Sequence, residues 1–140
     1  RTEGGGLVTK IIGAMLTGLM SVSSSLTYGA VKDDGNRLLS ECNNAVLARD
    51  SHNLNDAEFA RGFYCLGRLQ GVKEMNEYYR LLLNKMGKKS SIEFCLPKGG
   101  VENGQASRIV VKFLRDHPDQ LDEVSVILII DAFRAAFPCK

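Results

Sequence analysis

Four cysteines, at positions 42, 65, 95 and 139, restrict this 140-residue chain more than any other feature. They stand far apart, with no Cys-x-x-Cys among them. Zinc sites and thiol redox motifs both ask for close pairs, so both are disfavoured. An even set of separated cysteines reads instead as two structural disulfides formed in an oxidising compartment. The alternative is four small buried hydrophobes in a reduced protein. Four cysteines admit three pairings, and sequence alone does not choose. The pairing expected here joins Cys65 to Cys95 and Cys42 to Cys139, because it would tie the two helical halves of the chain together.

The second half runs from Phe94 to Lys140. Two helical patterns lie between Cys95 and Cys139, each cysteine close to a proline, which predicts a helical hairpin held at its edges. Pro97 biases Leu96 away from helical angles, so this connector is extended. Lys98-Gly99-Gly100 forms a turn, and Glu102 or Asn103 caps the helix that follows. Ile109, Val110, Phe113 and Leu114 make its buried stripe, with Arg108, Lys112 and Arg115 outside. Asp116-His117-Pro118-Asp119 ends that helix and starts the next, where proline suits the first helical position and an acid suits the positive end of the dipole. The last helix reaches about Phe137. Its expected inner face is Val126, Ile127, Ile130, Phe133 and Phe137, with Glu123, Asp131 and Arg134 on the remaining stripe.

The first half repeats the helical period. Leu38, Leu39, Cys42 and Val46 recur at helical spacing over residues 36–48, so Cys42 faces inward. Residues 49–53 read as a loop. Asn55 and Glu58 form a capping-box pair that opens a second helix. Phe59, Phe63 and Leu66, then Val72, Met75, Tyr79 and Leu82, make its expected inward stripe. Lys73, Glu74, Glu77 and Arg80 make a solvated outer face. Gly62, Gly67 and Gly71 interrupt this helix, each costing about 1 kcal/mol against alanine. Close approach of another helix would explain them, or a break near Gly71. No stretch alternates as a strand does. The chain reads as all-α, a single compact bundle of four to five helices, disulfide-linked, without internal repeats.

Residues 1–30 read differently. Lys10 precedes the short apolar run 11–20, then Ser21 to Ser25, then Leu26-Thr27-Tyr28-Gly29-Ala30. These are features of a cleavable signal peptide, and the run is too short and serine-rich to span a bilayer stably. Cleavage after Gly29 would place Thr27 and Gly29 at the small-residue positions. An amphipathic helix of the mature fold is the alternative. Residues 1–30 are therefore set aside as signal peptide and upstream sequence, leaving a helical domain over 31–140 with no membrane contact after cleavage.

Composition excludes several functions. A net charge of +2 with interspersed signs and no Trp argues against nucleic acid. Only two histidines are present. His117 suits a hydrogen bond at a helix junction, and His52 lies in a polar loop. No nucleophile elbow, phosphate loop or zinc-protease motif occurs. The reading assigns no catalytic residue, no cofactor and no metal.

A set of separated motifs points further. Leu38-Leu39-Ser40-Glu41-Cys42, Tyr64-Cys65-Leu66-Gly67 and Gln70-Gly71-Val72 are followed by Cys95-Leu96-Pro97 and Gly104-Gln105. Then come Ile109-Val110-Val111-Lys112-Phe113-Leu114-Arg115-Asp116-His117-Pro118 and Phe137-Pro138-Cys139. In this order, over residues 36–139, they resemble the Rap/Tai family of immunity proteins against type VI secretion amidase effectors. The family usually carries Thr three residues before the Gln, where this chain has Glu102, which bears on the local helix cap. The resemblance implies a periplasmic, commonly dimeric protein that binds a peptidoglycan amidase effector and occludes its active-site cleft. Contacts belong on exposed turns. The candidates are Lys88, Lys89 and Ser90, then Lys98, Glu102 and Asn103, and Asp119. A small periplasmic helical stress chaperone is the alternative. Two histidines argue against a histidine-driven pH switch, while a carboxylate-driven one stays open.

Overall fold

The computed structural model describes residues 32–50, 52–88 and 93–139. The expected signal segment and the candidates Lys89 and Ser90 lie outside them. The described chain forms α1 (Gly35–Arg49), α2 (Asp56–Lys85), α3 (Asn103–Asp116), a 3-10 turn (Pro118–Gln120) and α4 (Ser125–Ala136). It is all-α as expected, and its strand-like pairing is a single antiparallel bridge between Asp34 and Val124.

That bridge sets where α1 begins. Gly35 N–H donates to Glu123 O at 3.1 Å and Ser125 N–H to Asp33 O at 3.2 Å. A Cβ on Gly35 would lie 2.9 Å from the Leu121 Cα, so the close pass admits only glycine. Asp34 caps the helix, accepting from Arg37 N–H at 3.0 Å. The same bond holds the Asp34 carboxyl below its ordinary range. Leu38, Cys42 and Ala45 then fall on the buried face.

Asn55 opens α2 with both arms of the capping box, Glu58 N–H to Asn55 Oδ1 at 3.0 Å and Asn55 N–H to Glu58 Oε2 at 2.9 Å. The helix runs unbroken through Gly71 for 30 residues, about 45 Å. It ends where Gly87 takes φ 65° and Lys88 N–H reaches back to Leu83 O at 3.0 Å. Its inner face corrects the expectation. The buried positions are Gly62, Cys65, Leu69 and Lys73. Phe59, Phe63, Met75 and Tyr79 are each about half exposed, at 50%, 57%, 54% and 53%. The reason is Gly62, where a Cβ would sit 3.1 Å from the Ala45 backbone nitrogen. Helix α1 meets α2 at bare backbone there, and Phe63, one residue on, is turned about 100° away. Gly67 and Gly71 meet nothing within 4 Å, so close approach explains one glycine of the three.

The same crossing overturns the expected disulfide pairing. Cys65 lies three residues along α2 from Gly62, and Cys42 three residues back along α1 from Ala45, as an antiparallel register requires. The two are bonded, with Cα atoms 5.1 Å apart. Cys95 pairs with Cys139, Cα atoms 4.9 Å apart. Cys95 N–H donates to Phe137 O at 2.9 Å, so the connector before α3 lies beside the end of α4. The second hairpin is thus held at its edges, and neither disulfide joins the two halves. Packing and a charged cluster do so instead. Arg68 of α2 pairs with the buried Glu41 of α1 at 3.2 Å, with Asp33 at 2.9 Å, and with the Ser125 hydroxyl of α4. Glu41 also accepts from Arg37 at 2.6 Å.

The core gathers Leu38, Leu69, Phe94, Val110, Leu114, Leu128, Ile129 and Phe133, each almost wholly buried. In α3, Val110 and Leu114 sit inside as expected and Ile109 and Phe113 are partly buried. In α4 the expected face is rotated. Val126 and Ile127 are 44% and 47% exposed, while Leu128, Ile129, Ala132 and Phe133 point inward. Pro118 opens only a single 3-10 turn, because Val124 is held extended by the bridge and α4 starts after it. His117 accordingly serves the junction. Its Nδ1 lies 2.8 Å from Phe113 O, and its ring stacks on Phe113 at 4.2 Å.

Candidate functional site

The site grows from the segment between Pro97 and Gly104. Gly100 N–H closes the turn on Pro97 O at 2.8 Å, with Gly100 at φ 71°. Val101 is buried, which brings its carbonyl against α2. Glu102 occupies the cap position of α3 but its side chain makes no capping bond. It reaches to α1 instead and pairs with Arg49 at 3.0 Å.

Lys73 of α2 meets this segment. Its Nζ donates to Val101 O at 2.7 Å and to Asn103 Oδ1 at 2.6 Å. The side chain expected in the solvated outer face is 8% exposed. Burial pushes the Lys73 ammonium below the ordinary lysine range, against the field of Glu74. Among the described residues no carboxylate pairs with it, so a buried cation rests on two neutral acceptors. Such a group is costly unless something compensates it.

Around Lys73 the surface is concave. A hollow of about 590 Å³ lies between Phe59, Phe63 and Leu66 of α2, Arg49 of α1 and the segment 101–104. Phe59 and Phe63 meet edge-on at 4.8 Å along its wall. A second hollow of about 560 Å³ continues past Lys73 between Tyr78 and Leu81 and the turn at Gly99 and Gly100. Together they form a trough along one side of α2. The other side carries an apolar groove of about 480 Å³, where Val72, Met75 and Tyr79 face Phe94, Val126 and Ile130.

The candidates from sequence separate on this geometry. Glu102 and Asn103 stand together at the trough. Lys98 is exposed on the far side of the turn, in a neighbouring depression with Asn76. Lys88 is exposed beyond the end of α2. Asp119 is exposed in the 3-10 turn, separated from Asn103 by the whole of α3, about 20 Å. Sequence reasoning missed Lys73, Arg49, Phe59 and Phe63 as site residues. A signal for Lys73 existed, since it continues the spacing of Gly62, Cys65 and Leu69.

The described residues thus form a small helical body with two disulfides, whose polar and aromatic groups line a trough. A family model described as Rap1a immunity proteins matches residues 34–139, which span all four helices. The chain belongs to that family, and membership makes it an immunity protein whose partner is a cognate effector. No curated protein and no solved structure matches the chain.

Proposed function

We propose that this protein neutralises a peptidoglycan amidase delivered by a type VI secretion system, by binding it in the periplasm and closing its active-site cleft. The observation that carries the reading is the match to the immunity family across the whole helical body. Its two disulfides fit an oxidising compartment, as the periplasm is. The segment from Lys98 to Asn103, exposed at Lys98, Gly99, Gly100 and Glu102 beside the α2 trough, is the element we assign to the effector. A rigid turn clamped by Lys73 and flanked by exposed aromatics suits insertion into a cleft, where aromatic anchors supply most of the binding energy.

We further propose a homodimer through the opposite face of α2. Met75, Tyr79 and Val126 are exposed there around an apolar groove, and contiguous apolar surface of this kind marks an interface.

Co-expression with amidase effectors and capture of the chain tests both the partner and the mode of action. The expected result is one stoichiometric partner that loses hydrolysis of cross-linked peptide stems when bound. Recovery of many unfolded clients, most strongly at low pH, would favour the chaperone reading. A complex that keeps full hydrolase activity would overturn occlusion.

A further inference from the structure

We propose that the hollow beside Lys73 is an anchor site for an acidic side chain next to an apolar residue on the partner protein. The identity of that partner rests on the immunity reading. The chemistry of the site rests on the residues alone. An ammonium has three hydrogens to give, and Lys73 commits two of them to Val101 O and Asn103 Oδ1. Both acceptors are neutral, and Lys73 as a residue is more than nine-tenths buried.

The surrounding charges decide which hollow receives the acid. In the first, Arg49 and Glu102 cancel each other at 3.0 Å, which leaves Lys73 as the uncompensated charge among the lining residues. In the second, Glu74 and Glu77 line the wall. Glu77 is neutralised by Arg80, but Glu74 accepts from the neutral Gln70 at 2.6 Å and keeps its charge, so Glu74 repels an incoming carboxylate at that end. The acid therefore enters the first hollow. There the edge-on pair Phe59 and Phe63 offers apolar surface to its neighbour.

The test uses the full chain and two synthetic peptides, Ac-Phe-Glu-Phe-amide and Ac-Phe-Gln-Phe-amide, titrated while amide NMR shifts of Gly62, Val101 and Gly104 are followed. The glutamate peptide should bind about tenfold more tightly, the worth of one charge-assisted hydrogen bond in a desolvated site. Raising the salt should narrow that preference only partly, because a buried pair is weakly screened. Lys73→Gln should abolish the preference. Phe63→Ala, at a position more than half exposed, should weaken both peptides and keep the preference, which guards against a misfolded Lys73 variant. Equal affinities on the unaltered protein, or no saturable shift with either peptide, overturn the proposal. So does a change from dimer to monomer in Lys73→Gln alone, since the hollow would then be filled by a second copy. None of these outcomes involves an effector, so failure of the immunity reading would be seen separately.

Discussion

The two ends of α2 do opposite work with the same kind of residue. In its first half, Gly62 lets α1 approach to backbone contact, Cys65 is bonded to Cys42, and Arg68 is tied to Glu41 and Asp33. In its second half, Gly71 faces open space, and Met75, Tyr78, Tyr79 and Leu81 are each more than half exposed. One helix is thus anchored to α1 along one face of its first half, where Phe59 and Phe63 still point outward, and presents a further apolar surface in its second half. A glycine or an aromatic in this helix has no fixed meaning until the crossing point with α1 is known.

The comparison can be broken most severely at the covalent anchor. Replacing Cys42 and Cys65 together by alanine should cost about 3–5 kcal/mol in urea unfolding, because loop entropy is released and two fully buried sulfurs leave a void. Gly62→Val comes next, at about 2–3 kcal/mol, since its Cβ would press on the Ala45 and Asn44 backbone. Gly71→Ala should reverse the sign and raise stability by about 1 kcal/mol, because its Cβ meets nothing and helix propensity improves. A loss there instead would show that the second half is packed in solution. Smallest of all, Tyr79→Ser should leave monomer stability within about 0.5 kcal/mol. Its sedimentation should report a monomer if that face joins two copies.

Much of the fold was legible because it is written locally. The Asn55–Glu58 capping box, the inward Leu38 and Cys42, the turn at Lys98–Gly100 and the role of His117 all depend on neighbours in sequence. The faces of α2 and α4 were not legible, for a physical reason. Periodicity marks an apolar stripe without saying whether it meets the core or another molecule. In α2 the outward stripe holds Phe59, Phe63, Met75 and Tyr79, while the inward one holds a glycine, a cysteine, a single leucine and a lysine. Burial here follows from the backbone contact at Gly62, which is long-range. The start of α4 failed for the same cause, since the bridge from Asp34 to Val124 joins residues far apart in sequence. Of the site, Glu102 and Asn103 could be found from turn chemistry; the spacing of Lys73 with Gly62, Cys65 and Leu69 marks it as inward, but its partner Val101 O is seen only in the fold.

The disulfide pattern carries one more consequence. Each cysteine is bonded to its next neighbour along the chain, 42 to 65 and 95 to 139. A polypeptide emerging N-terminus first into an oxidising space could therefore close each bridge with the next thiol to arrive. Cys42 would be already consumed when Cys95 appears, and correct oxidation would need little reshuffling by an isomerase.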